Sequence, residues 1–382
     1  MTAKDRPTAG TVVDLFSGCG GFSLGAELVG FHSLAAIDID STLQSAYRRN
    51  FPGSLAIEAS VTDLDASAWR QLIGRTRPDG VIGGPPCQGF SWIGRRRKRD
   101  PRNSLLAHFY KQVAILRPKF FIMENVEGLL DNDHIGFLMS ALENVPHRYR
   151  VLEPLIVNAA HFGAATSRRR VVVIGYDPFE VDPLSVDLLE PKRPKRLATV
   201  RDAISDLPSP IADSKDTFNF QWAKYPARAQ EHLSDYARRL RKPPTNGLGW
   251  REAIDRHKEG FISGAVSTDH SKSIARRYAT IAGGQPDPIS KSYKLEWNGQ
   301  CPTLRAGTSL DKGAFQAVRP LHPGKGRVIT VREGARLQGF PDWFVFHPTK
   351  WHSFRMIGNS ISPAVSFGLL RRIAPRLLAS LA

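Results

Sequence analysis

The chain has 382 residues, of which 41% are hydrophobic and 23% charged, and its 53 Lys and Arg against 36 Asp and Glu give a formal charge of +17. At roughly 150 residues per domain that length holds two domains or three, and the composition excludes a disordered chain. The surplus of cations predicts a polyanionic partner, nucleic acid first, because Lys and Arg displace counterions from phosphates.

The opening residues MTAKDRPTAG carry charge and proline but no apolar stretch, so no signal peptide is expected. No run approaches the ~20 apolar residues of a membrane helix, and a reducing, intracellular compartment is expected. Thr11–Phe16 (TVVDLF) reads as a buried strand, followed by the loop SGCGG and a helical segment, Phe22–Val29. Leu34–Ile37 is the next strand, ending at Asp38. Val81–Ile82 leads into GGPPC, Phe120–Met123 (FFIM) ends at Glu124, and Val171–Ile174 follows an arginine cluster. Strands without alternation, separated by helices, predict a parallel sheet covered on both faces, a doubly wound α/β domain.

Beyond about residue 177 the texture changes. Nine prolines fall within 178–244, and basic clusters recur at Lys192, Arg193, Lys195 and Arg196 and again at Arg238, Arg239, Arg241 and Lys242. With Trp222, Trp250 and Trp297 to build a core, this stretch reads as a second, smaller, irregular basic domain. Thr330-Val-Arg-Glu333 is a capping box, with Gly339 and Pro341 closing the helix. Ile357–Ile361 and the apolar-periodic Pro363–Leu378 predict a last helix packed back on the first domain. The boundaries are therefore 1–180 with 351–382, and 181–350.

The glycine loop Phe16-Ser-Gly18-Cys-Gly20-Gly21 lets backbone approach a ligand. Asp38, about 20 residues on, stands where a ribose-binding carboxylate sits in nucleotide sites. Position 23 is Ser, so the GxGxxG fingerprint is incomplete. A dinucleotide is disfavoured and a nucleoside without phosphate, such as S-adenosylmethionine, is favoured. Of the three cysteines, Cys19, Cys87 and Cys301, none forms a CxxC pair or a disulfide framework. Cys87 follows two prolines at the carboxyl end of a strand, and a stiff loop can hold a thiolate in line with an electrophilic carbon. The next stretch, Gly94–Arg102, has six positive charges and one negative and suits a phosphate clamp. Glu124 ends a buried strand, where desolvation raises a carboxyl pKa and lets it hold a proton. Arg168 and Arg170 share a face of an incoming strand and can grip a carboxylate, phosphate or carbonyl oxygen. Gly18, Asp38, Cys87 and Glu124 all fall just past the carboxyl ends of strands, which in an open α/β sheet is the ligand crevice.

At these residues the sequence resembles the DNA (cytosine-5)-methyltransferases. DLFSGCGGFSLG, GGPPCQGFS, MENVEGLL, SRRRVVVIG, VREGARLQGFPD and IGNSISP occur in that family's order and approximate spacing, leaving only about 180–300 outside the match. The resemblance implies a Rossmann-like, mostly parallel fold with a target-recognition domain in the proline-rich basic stretch. It implies that Phe16, Gly18, Gly20, Gly21, Asp38, Ile39, Pro85, Leu105, Asn359 and Ser360 bind S-adenosylmethionine, leaving S-adenosylhomocysteine as product. It assigns Cys87 as the nucleophile on cytosine C6, Glu124 as the group that hydrogen-bonds and protonates N3, and Arg168 and Arg170 as pocket-ordering residues. Ser91, Arg95, Arg96, Arg97, Lys98 and Arg99 would meet DNA.

The implied partner is double-stranded DNA, with the target base flipped out of the stack. The implied setting is a prokaryotic restriction-modification system with a cognate endonuclease, and a cytoplasmic monomer that joins the nucleoid through DNA. Two positions depart from the family pattern. Thr166 stands where the family commonly has Gln, and Ser60 aligns with the acid that usually meets the adenine amino group, with Asp63 nearby. A transfer-RNA methyltransferase on the same scaffold is the alternative enzyme, and a catalytically silent DNA-binding protein the alternative of another class. A nicotinamide oxidoreductase is remote, given the missing third glycine.

Overall fold

The computed structural model describes residues 9–86 and 104–378, apart from 215, 217, 218, 227–232, 246 and 307–318. The first half alternates: β1 (Gly10–Leu15), α1 (Gly21–Val29), β2 (Phe31–Asp38), α2 (Ser41–Asn50), β3 (Leu55–Glu58), α3 (Ala66–Ile73), β4 (Gly80–Gly83), α4 (Ser104–Leu116) and β5 (Phe120–Asn125). These five strands run parallel in the order β3-β2-β1-β4-β5, the doubly wound arrangement. After α5 (Ile135–Leu142) come β6 (Arg150–Val151), β7 (Leu155–Asn158), β8 (Thr166–Ser167) and β9 (Arg169–Tyr176).

The strand around Val171–Ile174 breaks the parallel pattern. β9 lies antiparallel to β5, and both β6 and β7 pair antiparallel with β9. The segment 159–168 between β7 and β9 is shorter than the dozen or more residues of a parallel crossover, so the chain reverses.

The remainder is irregular, as its composition predicts. It holds α6 (Val186–Leu189), α7 (Val200–Ile204), β10 (Ala223–Lys224), α8 (Asp235–Leu240), α9 (Arg251–Lys258), β11 (Phe261–Ile262), α10 (Lys272–Thr280), β12 (Cys301–Pro302), α11 (Val331–Gln338), α12 (Lys350–Asn359) and α13 (Pro363–Ile373). The capping box of α11 forms as read, with Thr330 and Glu333 satisfying each other's backbone N–H and Gly339 closing the helix at φ 95°. The terminal apolar segment stops earlier than expected. Ile357–Asn359 finish α12, Pro363 opens α13, and a 3-10 turn at Ala374–Arg376 follows. Pro375 has no N–H with which to extend α13.

Each interior strand buries both faces, which is why the sequence shows no alternation. Val12, Ile82, Ile122 and Val172 face α1 and α13, where they meet Phe22, Ala26, Val365 and Leu369. Val13, Val81, Phe121, Met123 and Val173 face α4 and α5, where they meet Phe109, Val113 and Leu138. A third cluster joins Tyr47 and Phe51 of the α2 region to Phe340, Trp343, Phe344 and Phe346, together with Val200, Leu240 and Leu304. No helix among the described residues is long and apolar enough to cross a membrane.

A buried charge network fastens the irregular half. Arg336 is fully buried, lies 2.5 Å from Asp342 and 3.1 Å from Asp206, and donates to the Ala203 carbonyl at 2.9 Å. Arg241 reaches the same Asp206 at 2.7 Å. Thus α7, α8 and α11 share one set of compensated charges, and each buried ion has a partner.

Candidate active site

Strand register lines up the residues of interest. Leu15 pairs with Ile37 and with Gly83, and Gly83 pairs with Met123. The next residue on each of these strands is therefore Phe16, Asp38, Gly84 and Glu124, side by side along the carboxyl edge of β1, β2, β4 and β5. The strand order reverses between β1 and β4, so this row spans the topological switch point.

On the β1–β2 side, Asp38 is the organising carboxylate. Its Oδ2 accepts the Gly18 N–H at 2.8 Å and its Oδ1 the Asp40 N–H at 2.9 Å. Burial pushes its pKa up against those backbone bonds. Asp40 caps α2 at Leu43 and pairs with Arg355. Phe16 adopts φ 58°, a left-handed conformation that costs a β-carbon residue of order 1–2 kcal/mol. Gly18 also has positive φ, and a Cβ built there would meet nothing within 4 Å, so this side of the loop is open. Gly20 and Gly21 are closed. A Cβ on Gly20 would stand 2.3 Å from the Phe51 ring, and one on Gly21 1.8 Å from Ser360 Oγ. These two glycines let the loop pack, while Gly18 leaves room for a ligand. Ile39 is 71% exposed beside Asp38. Leu105 stands half-buried in the first turn of α4, Asn359 ends α12 exposed, and Ser360 presses on the glycine loop. Open backbone, a carboxylate and a flanking apolar side chain suit a nucleoside.

Sequence reasoning overlooked Asp14, under the same loop. It is 1% exposed and accepts Ser23 Oγ at 2.6 Å and Ser23 N at 3.2 Å, and Tyr47 donates to that Ser23 hydroxyl at 2.8 Å. Burial raises its carboxyl to about 7. A lone Asp within TVVDLF was the available signal. Ser60 and Asp63 hold a short turn together: Ser60 Oγ lies 2.6 Å from Thr62 Oγ1, which donates to Asp63 at 2.8 Å.

On the β4–β5 side, Glu124 lies opposite Val172 in the antiparallel ladder, and residues directly opposite share a face. Arg170, two residues before Val172, is on that face too. Its Nε stands 3.0 Å from Glu124 Oε1. The pair is close without hydrogen-bond alignment, and that buried oxygen has no hydrogen-bond donor among the described residues. The sequence predicted a desolvated Glu124 and did not foresee its guanidinium partner. The other oxygen, Oε2, faces Gly84, where a Cβ would approach to 3.2 Å. Asn125 Nδ2 donates to the Pro85 carbonyl at 3.2 Å. The GGPP turn is thus held against Glu124.

Arg169 alternates outward and pairs with Glu127. Arg168 is buried and donates to the Leu304 carbonyl at 3.4 Å. Thr166 donates to the Cys301 carbonyl at 3.0 Å, and β8 pairs in parallel with β12. The arginine segment is therefore clipped to residues 301–304.

Cys87, Ser91 and the basic residues Arg95, Arg96, Arg97, Lys98 and Arg99 lie outside the described residues. The other two cysteines are buried and free. Burial pushes the Cys19 thiol up to about 12 and the Cys301 thiol well above its usual range, so neither is a thiolate at neutral pH.

Residues 10–374 match the family model for C-5 cytosine-specific DNA methylases. The chain is 41% identical to the Type II methyltransferase M.XorII of Xanthomonas oryzae, over 93% of this chain and 82% of the relative. It is 33% identical to the Type II methyltransferase M.DdeI of Desulfomicrobium norvegicum, over 95% and 88% respectively. Its fold superposes with a TM-score of 0.85 and 40% identity on a prophage-encoded Escherichia coli chain described as a DNA modification methyltransferase, covering 96% of this chain and 99% of that one. A match across nearly the whole chain, with one sheet edge assembling the site, means that the chain belongs to the C-5 cytosine-specific DNA methylase family and is a DNA (cytosine-5)-methyltransferase.

Proposed function

We propose that the protein methylates C5 of a cytosine turned out of duplex DNA, through a transient bond between the Cys87 sulfur and ring carbon C6. The observation that carries this reading is the row Phe16, Asp38, Gly84 and Glu124 along one sheet edge, with the Gly18 N–H on Asp38 and with Asn125 holding Pro85, two residues before Cys87 in the sequence. To S-adenosylmethionine binding we assign Phe16, Gly18, Asp38, Ile39, Leu105, Asn359 and Ser360. That cofactor supplies an electrophilic methyl group on a sulfonium.

C5 of cytosine is a weak nucleophile, and addition of a thiolate at C6 moves the ring's electrons onto C5. The addition leaves negative charge on the ring, which Glu124 relieves by delivering a proton to N3. Arg170, 3.0 Å from that carboxyl, supplies a positive charge that would also stabilise the charge building on O2. Once C5 carries the methyl group, its proton passes to water, the electrons of that C–H bond re-form the C5–C6 double bond as Cys87 departs with the pair of its bond to C6, and the N3 proton returns to Glu124. The base reaches this pocket only when unstacked, at a cost of a few kcal/mol. The basic residues 95–99 are placed by sequence beside Cys87 to hold the flipped strand. Residues 181–350 serve as the target-recognition region. The Type II names of its relatives support a modification role beside a cognate restriction endonuclease; a cytoplasmic enzyme acting as a monomer belongs to the same proposal.

Incubation with a random-sequence duplex containing 5-fluorocytosine and S-adenosylmethionine tests the reading, because fluorine at C5 cannot leave as a proton does. A denaturation-stable protein–DNA adduct is expected, and Cys87→Ser should form none. Methyl transfer to ordinary cytosine by Cys87→Ser at the parent rate would overturn it.

A further inference from the structure

On the flank of the molecule away from the crevice, α2 and α9 wall an open groove of about 860 Å³. Arg48, Arg49, Arg251 and Lys258 line it beside Trp250, with Asp255 as the carboxylate among its lining residues. The groove is distinct from the crevice by construction. Helix α2 starts at Asp40, next to the edge marked by Asp38, and its ten residues run about 15 Å toward the opposite rim at 1.5 Å each. Arg48 and Arg49 are in its last turn.

The wall is rigid and carries uncompensated charge. Asn50 exchanges two hydrogen bonds with the Val345 backbone at 2.7 and 3.0 Å, and its own carbonyl accepts the Gly249 N–H at 2.8 Å. The Arg49 guanidinium lies over Phe220 at 5.3 Å and Trp250 at 5.9 Å and donates to the Ser45 carbonyl at 2.9 Å. Among the described residues neither Arg48 nor Arg49 has a carboxylate in ion-pair range, while Arg251 and Lys258 share Asp255. Burial already costs Arg49 part of its hydration. Cations with no carboxylate beside them attract anions, and an open trough with cations along both walls suits a phosphate chain better than one small anion.

We propose that this groove is a second phosphate-binding surface, which takes the backbone of duplex DNA lying outside the stretch that holds the target cytosine. The proposal takes DNA from the functional reading and adds a surface remote from its chemistry. Each phosphate neutralised there adds about 0.9 to the slope of log affinity against log salt. The surface would hold the enzyme on long DNA between target sites.

The test compares the parent chain with Arg48→Gln and Arg48→Gln/Arg49→Gln, using a duplex that covers one target site and a duplex several times longer. Both variants should methylate the short duplex at the parent rate. The affinity of the double variant for the long duplex should fall about tenfold or more, with the salt slope reduced by about 2 and by about 1 for Arg48→Gln alone. Asp255→Asn should change long-duplex affinity in the opposite direction. An unchanged slope on the long duplex would overturn the proposal. So would an equal loss on both duplexes, which would place these charges in the service of the crevice or the fold. Protection of the groove by inorganic phosphate or a mononucleotide while long-duplex binding persists would make it a small-anion site and would also end the proposal. Loss of methylation by the parent chain itself would instead count against the catalytic reading.

Discussion

Glu124 owes its partner to a strand running the opposite way. Only an antiparallel β9 brings Arg170 back along the face on which Glu124 stands. Replacing that carboxyl with an amide keeps the shape and removes the proton that the proposed mechanism delivers to N3. Glu124→Gln is therefore expected to lower kcat by about 10²- to 10⁴-fold while leaving DNA affinity and melting temperature near the parent values. A matching loss of DNA affinity would give Glu124 a binding role instead. Asp14 is a carboxyl of another kind, raised to about 7 by burial. The native state holds its proton more tightly than the unfolded chain, whose Asp titrates near 3.9. Its stabilising contribution is complete below about pH 4 and is lost as pH rises through about 7. The parent melting temperature should fall between about pH 5 and pH 8 more steeply than that of Asp14→Asn, and parallel curves would remove Asp14 as the cause. The candidate site was legible where a carboxylate ended an apolar run, as at Asp38 and Glu124, which the sheet brings to one edge. It was illegible where burial or pairing depended on tertiary register, as with Asp14 and the Glu124–Arg170 contact.

Elements were legible in proportion to their local signals. The α11 capping box and its closing glycine could be read directly, because their hydrogen bonds lie within a few residues. The two-residue strands β8 and β12 could not, since their partners come from distant parts of the chain. Nor could the direction of β9, which depends on the length of a connection rather than on apolarity. Helix α1 shows the cost of close packing. A Cβ on Gly25 would stand 2.4 Å from Ser366 Cβ and 2.5 Å from the Phe367 backbone nitrogen in α13. Ser366 Oγ donates to the Phe22 carbonyl at 2.6 Å, so α13 cannot retreat freely. Alanine would gain about 1 kcal/mol of helix propensity and lose roughly 1–3 by overpacking. Gly25→Ala should therefore melt at lower temperature than the parent, and an unchanged or higher melting point would show that α13 yields.

The whole molecule is held by interactions that composition alone does not reveal. Proline and basic residues identified the irregular half. They did not identify the aromatic group Phe340–Phe346 that packs on Tyr47 and Phe51, or the ions beneath it. Arg336→Met would leave Asp342 and Asp206 buried with diminished compensation, at a cost of about 3–5 kcal/mol. Chemical denaturation should register that loss in full. A near-neutral result would mean that Arg241 beside Asp206 and Arg332, a buried guanidinium whose charge also acts on Asp342, suffice for both carboxylates. Arg168 is the single residue that joins two pinned backbones, with β8 hydrogen-bonded to β12 on one side and β9 paired with β7 on the other. No slack exists there to absorb a change in chain length. A single codon gained or lost at that point shifts the phase of the strand and rotates Arg170 away from Glu124. Surface turns elsewhere can absorb an added or missing residue, while this joint must keep its count.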